Sequence, residues 1–187
     1  MIGYQEQING LLFLAEDTDG GSTVEFDIPQ GYIAIEWHFY NIHPAEDDKQ
    51  FTFQVNAAGE SGFNETITSS AFYAYHEESG TSYGGSTLGY RTQADQAQGT
   101  AYQALVGYNM GYDNDQSASG ILTLYDPSST TYVKHFTSEG SVAVYNNIAA
   151  NLFTAGYINT TSAIDEISFK FNSGNIDDGI IRMYGFR

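Results

Sequence analysis

Cysteine is absent from the 187 residues. That excludes a disulfide framework, thiol catalysis and thiolate metal sites, and it suits a chain folded in a reducing cytoplasm. Basic residues are scarce: 6 Lys and Arg stand against 23 Asp and Glu, for a formal charge of −17. Nucleic-acid binders need Lys and Arg to neutralise phosphates, and proteins held on anionic lipid need them too. Neither nucleic acid nor membrane is therefore expected as a partner. Long apolar runs are also missing, since the longest, Leu11 to Ala15, falls far short of the ~20 residues that cross a bilayer. The start, MIGYQEQING, lacks the basic and apolar regions of a secretory signal, so a soluble protein without an export signal is expected. No segment carries an apolar stripe at helical spacing.

What is present favours sheet. There are 15 Tyr, 12 Phe, 1 Trp and 20 Gly, with only 3 Pro. Aromatic and β-branched side chains suit a pleated surface, and so aromatic a chain has the apolar area to escape disorder. A chain of this size buries roughly 70% of its extended surface, and residues 1–187 are expected to form a single β-sandwich domain.

Alternation of period two recurs. Val24, Phe26 and Ile28 face one way, and Thr23, Glu25 and Asp27 the other. Ile33, Ile35, Trp37 and Phe39 make the longest apolar face; Phe51, Phe53 and Val55, then Ile167, Phe169 and Phe171, repeat the pattern. Each reads as a strand with one buried and one wet face. Further strands are expected near 8–14, 67–76, 102–108, 119–125, 131–136, 141–145, 150–158 and 179–186. Turns at Asp19-Gly20-Gly21, Gly59 to Gly62, Gly84-Gly85, Asp126-Pro127-Ser128 and Asn172 to Asn175 separate them. The pattern predicts an all-β, antiparallel, jelly-roll-like sandwich. One long surface excursion, 77–100, is poor in large apolar residues.

No motif carries catalysis. Asp17-x-Asp19-Gly20 and Asp113-Asn114-Asp115 look like oxygen-rich loops, but lack EF-hand spacing and fit the backbone chemistry of tight turns. His38, His43, His76 and His135 have no zinc-protease spacing. The clusters Glu46-Asp47-Asp48, Glu77-Glu78 and Asp177-Asp178 fall in expected loops, not across a cleft as a glycosidase requires. No nucleophile elbow or phosphate-binding loop occurs. No enzyme, cofactor or metal is expected. Eleven tyrosines (Tyr73, Tyr75, Tyr83, Tyr90, Tyr102, Tyr108, Tyr112, Tyr125, Tyr132, Tyr145 and Tyr157) exceed what a core uses. They serve either as interface residues or as rings straddling the core boundary with the hydroxyl in water.

Four stretches carry a resemblance: Tyr40-Asn41-Ile42-His43-Pro44, Phe51-Thr52-Phe53-Gln54-Val55, the run from Leu124 to Phe136, and GYINTTSAIDEISFKFNSGNIDDGIIRMYG from Gly156 to Gly185. Together they resemble virion structural proteins of tailed marine phages, cyanophages especially. In that class an SGNI turn and a closing G-x-I-x-x-Y-G strand commonly end the domain. The resemblance implies a non-enzymatic particle component made in the host cytoplasm. Its partners would be other virion proteins, capsid or tail, with sister copies beside it. The acidity disfavours the DNA-filled lumen, so a capsid-exterior decoration or cement protein is expected. The alternative is a tail or tail-fibre module that could bind host glycan. Three of the six basic residues lie in the last eighteen, and Arg182, Tyr184, Phe186 and Arg187 are the candidate interface residues.

Overall fold

The structure is a computed structural model that describes residues 7–8, 11–80, 87–106 and 109–187. The described residues contain no helix and form thirteen strands. These are β1 (Gln7–Ile8), β2 (Leu11–Asp17), β3 (Val24–Asp27), β4 (Ala34–Pro44), β5 (Phe51–Ala57), β6 (Ile67–Glu77), β7 (Thr87–Tyr90), β8 (Gln103–Ala104), β9 (Ala118–Tyr125), β10 (Lys134–Val144), β11 (Ile148–Ile158), β12 (Ile164–Phe171) and β13 (Ile176–Phe186). They build two antiparallel sheets. The larger has nine strands in the order β1-β2-β13-β4-β9-β10-β11-β6-β7, the smaller four in the order β3-β12-β5-β8.

The sheets share one core, and alternation explains its make-up. Ile35, Trp37 and Phe39 of β4 point inward and are wholly buried. Across the gap Trp37 meets Phe169 with ring centroids 6.1 Å apart, Phe39 meets Phe51 at 5.4 Å and Phe136 meets Phe53 at 5.2 Å. Such aromatic contacts add to the area buried. Ile33 was expected on this face, yet it is 66% exposed. It precedes β4, where its main chain is bonded to Phe186 and Asp126, so the strand's alternation does not reach it.

Over β5 and much of β12 the outer face of the small sheet is covered by the chain itself. β5 is buried along its whole length, because Thr52, Gln54 and Asn56 lie under connecting segments. The Gln54 amide is shared among the carbonyls of Glu65, Thr100 and Ala101, the Tyr102 hydroxyl meets Ser168 at 3.2 Å, and the Lys170 ammonium sits 3.9 Å from the Tyr102 ring centre. Buried amides and hydroxyls need such partners.

Two expectations change. The strands expected near 131–136 and 141–145 are the two ends of one strand, β10 (Lys134–Val144). Ser138 and Gly140 hide its inward alternation, and Gly140 is required there because a Cβ would collide with the Leu105 carbonyl oxygen. The 77–100 segment contains an edge strand, β7, paired with β6. Beyond it the main chain stays bonded along β6 through Arg91, Gln96 and Gly99. The Gly84-Gly85 turn, Tyr83 and Tyr108 lie outside the described residues.

Lys134, one of six basic residues, is fully buried. Its ammonium donates to the carbonyls of Tyr132 at 2.9 Å and Thr160 at 3.3 Å, tying the start of β10 to the segment after β11. Burial pushes this lysine below its ordinary value, with Asp126 working against the shift. Between the lowered and the ordinary value the unfolded chain binds more protons, so stability rises with pH there. Lys134→Met, which strands both carbonyls, should cost ~1–3 kcal/mol near neutral pH. In urea melts run at increasing alkalinity, wild type should gain on the variant through that window.

Candidate functional site

While much of the small sheet's outer face is covered, the outer face of the large sheet is open. Among the described residues eleven large hydrophobic side chains are exposed. Seven of them (Phe13, Tyr40, Phe72, Leu88, Tyr90, Ile121 and Tyr125) stand on this one face. The other four (Ile33, Tyr112, Tyr132 and Tyr145) lie in connections. Scattered exposed apolar residues are ordinary, whereas a contiguous set on one face marks an interaction surface.

Register fixes the arrangement. Cross-strand pairs carry one row across the sheet as Glu16, Arg182, His38, Ile121, Glu139, Phe153, Phe72 and Tyr90. The neighbouring row runs Phe13, Tyr184, Glu36, Thr123, Thr137, Ala155 and Ser70. Its last four side chains are short, so they form the floor of a trough of about 420 Å³ walled by Phe72, Phe153, Ile121 and Glu139. Phe72 and Phe153 stack nearly parallel, centroids 4.9 Å apart and planes 10° apart. The trough crosses β6, β11, β10 and β9, a span of about 14 Å at ordinary strand spacing. A smaller hollow of about 210 Å³ adjoins it, sharing Ile121 and Glu139 and adding Ser119, Ser141 and Asn151.

Polar contacts hold the wall in place. His38 Nε2 lies 2.8 Å from Glu36 and its Nδ1 3.2 Å from the Tyr40 hydroxyl. The Asn151 amide donates to Glu139 at 3.2 Å, and Tyr125 and Thr137 join their hydroxyls at 3.1 Å. Tyr184 packs on Phe13 and His38. Burial, then the adjacent Tyr184 hydroxyl, raises the Tyr40 phenol above its ordinary value, with Arg182 opposing. A hydrogen bond to Asp95 raises Tyr90 likewise. Glu16 binds Arg182 and holds its guanidinium still more firmly protonated.

Of the four candidate interface residues, Arg182, Tyr184 and Phe186 alternate along β13 onto this open face. Arg187 instead lies against Tyr32, donating to its hydroxyl at 3.2 Å. β13 is not at an edge but between β2 and β4. The basic residues are all engaged within the molecule. Lys49 pairs with Glu46 at 3.2 Å, Lys134 is buried, Lys170 and Arg187 lie over tyrosines, Arg182 binds Glu16, and Arg91 lies near the Tyr73 ring. The open face is thus apolar and acidic. The Asp17 carboxylate accepts the amides of Asp19 and Gly20, as in a tight turn. Among the described residues no three His, Asp or Glu side chains gather as a metal site would require.

Phe72, Ile121, Phe153 and Glu139 were not singled out by sequence. Their signal was phase: Phe72 shares the wet face of β6 with Ser70 and Ala74, and Ile121 that of β9 with Ser119 and Thr123. An aromatic or aliphatic residue in polar phase is the mark to look for. Fold and face together define an all-β two-sheet protein with one largely covered and one open, aromatic-rich face. No protein-family model, curated protein or solved structure matches the chain.

Proposed function

We propose that this protein is a non-enzymatic structural component of a tailed-phage particle, a decoration protein seated on the capsid exterior by the open face of its large sheet. One observation carries the reading: seven of the exposed large hydrophobic side chains gather on that face, while connecting segments cover much of the opposite face. Tyr and Phe give large contact area at low entropic cost, which suits docking on a preformed shell of other virion proteins beside sister copies. The resemblance of the 40–44, 51–55, 124–136 and 156–185 stretches to phage virion proteins supports it. So does the charge of −17, which disfavours the lumen. The jelly-roll-like sandwich would serve as a rigid platform. Leu88 and Tyr90 of β7, within the 77–100 segment, share the docking face.

A tail or tail-fibre module reading host glycan is the second reading. The trough favours it, because apolar walls beside Glu36, Glu139 and the hydroxyls of Thr123 and Thr137 could seat a sugar. Cryo-EM of intact particles separates the two. Hundreds of copies on the shell, the large sheet facing inward, are expected. A few tens of copies at the tail, the trough turned outward, would favour the second reading, and a solvent-facing large sheet on the shell would sink the first.

A further inference from the structure

The two sheets are unequal, and the smaller one stops at β3. Beside that end a slot of about 600 Å³ opens between β2 and β3. Leu14, Phe26 and Met183 line its apolar floor, and Asp17, Glu25 and Asp27 its lips; no Lys or Arg lines it. Among the described residues, main-chain groups at the edge beside this slot have no hydrogen-bond partner. The Ile28 amide donates to Asp165 at 2.7 Å, and Phe26 and Val24 pair with Ile167 and Phe169. In an antiparallel ladder the groups of alternate residues face opposite ways. Those of Val24, Phe26 and Ile28 therefore serve β12, and those of Glu25 and Asp27 point away from it, toward the slot side.

We propose that the free edge of β3 and the adjoining slot bind an extended segment of another polypeptide, added as a fifth strand, in which apolar residues alternate with Lys or Arg. Main-chain bonds to Glu25 and Asp27 would give the affinity, and alternate side chains the specificity. Apolar side chains of the incoming strand enter the slot against Leu14, Phe26 and Met183, while the basic ones lie opposite Glu25 and Asp27, where opposite charges stabilise a cross-strand pair. A second copy of this chain is a poor occupant, because like charges placed opposite one another repel and acidic side chains on an edge guard against self-pairing. The site is separate from the open face of the large sheet and does not depend on the particle reading.

The test uses the whole protein and two short peptides of identical composition, one alternating valine and lysine, the other with its valines and lysines in separate blocks. The alternating peptide should slow hydrogen exchange at the Glu25 and Asp27 amides and bind at least about tenfold more tightly than the block peptide. Glu25→Pro removes one outward N–H yet leaves the ladder to β12 intact, a substitution an edge strand tolerates, and should weaken binding about tenfold. The double variant Glu25→Lys, Asp27→Lys should prefer an alternating valine–glutamate peptide, and it decides the matter if the proline variant fails to fold. Equal binding of both lysine peptides, protection at β7 instead of β3, or an unchanged preference in the lysine double variant would overturn the proposal.

Discussion

Trp37→Ala should destabilise the fold by ~3–5 kcal/mol, the largest single loss expected in the chain. Trp37 is wholly buried at the middle of β4, between Ile35 and Phe39 on the same face, and its ring meets Phe169 of the opposite sheet. Removing the ring therefore opens a cavity between the sheets rather than at a rim, where the remaining side chains could collapse. A marginally stable domain holds only about 5–15 kcal/mol in total, so a thermal melt should show a large fall in midpoint or no native baseline. Trp37→Phe should be milder, at less than about 1.5 kcal/mol in the manner of a conservative core swap. It keeps an aromatic ring and removes an indole N–H that has no hydrogen-bond partner in the structure. Equal losses for both substitutions would mean that the indole nitrogen, not the ring area, is what the core requires.

The inward half of this architecture was legible because each buried face repeats every second residue. Val24 and Phe26, Ile35 to Phe39, Phe51 to Val55 and Ile167 to Phe171 all landed on core faces. The pattern broke where tertiary contact overrode local chemistry. Gly140 looks like a turn residue, but a neighbouring carbonyl demands that it lack a side chain. Lys134 looks like a surface cation, but two carbonyls hold it inside. β7 has Leu88 and Tyr90 in one phase, but both are exposed, so it carries no buried face to read. The partition into nine and four strands could not be read either, since β13 closes between β2 and β4 from the far end of the chain. The slot beside β3 exists only because of that partition. The C-terminal clustering of basic residues singled out Arg182, Tyr184 and Phe186, which prove to share one phase of β13, whereas the trough needed the register of four further strands.

Replacing Phe72 and Ile121 together by serine should abolish docking while leaving the fold intact. Both side chains are over two-fifths exposed, at 47% and 41%, so only the covered half of each is given up, and serine already stands beside them at Ser70 and Ser119. Stability should fall by ~1–2 kcal/mol per site for the half-covered apolar area, a loss that a domain holding about 5–15 kcal/mol survives. Binding to purified shells lacking the protein should fall roughly a thousandfold, if each residue acts as an anchor contributing ~2 kcal/mol at the centre of the interface. Tyr112→Ser and Tyr132→Ser supply the control, because these tyrosines are as exposed but stand in connections away from the face; neither should change binding. Because the six basic side chains are engaged within the molecule, the contact gains little from Arg–carboxylate pairs donated by this chain. Added salt should accordingly alter affinity only slightly. Steep release by salt would show that basic groups of the shell grip Glu36 and Glu139, and that the carboxylates rather than the aromatic walls are the anchor. Retained shell binding in the double variant, with loss of binding to host polysaccharide, would make the open face a glycan-reading surface rather than the docking surface.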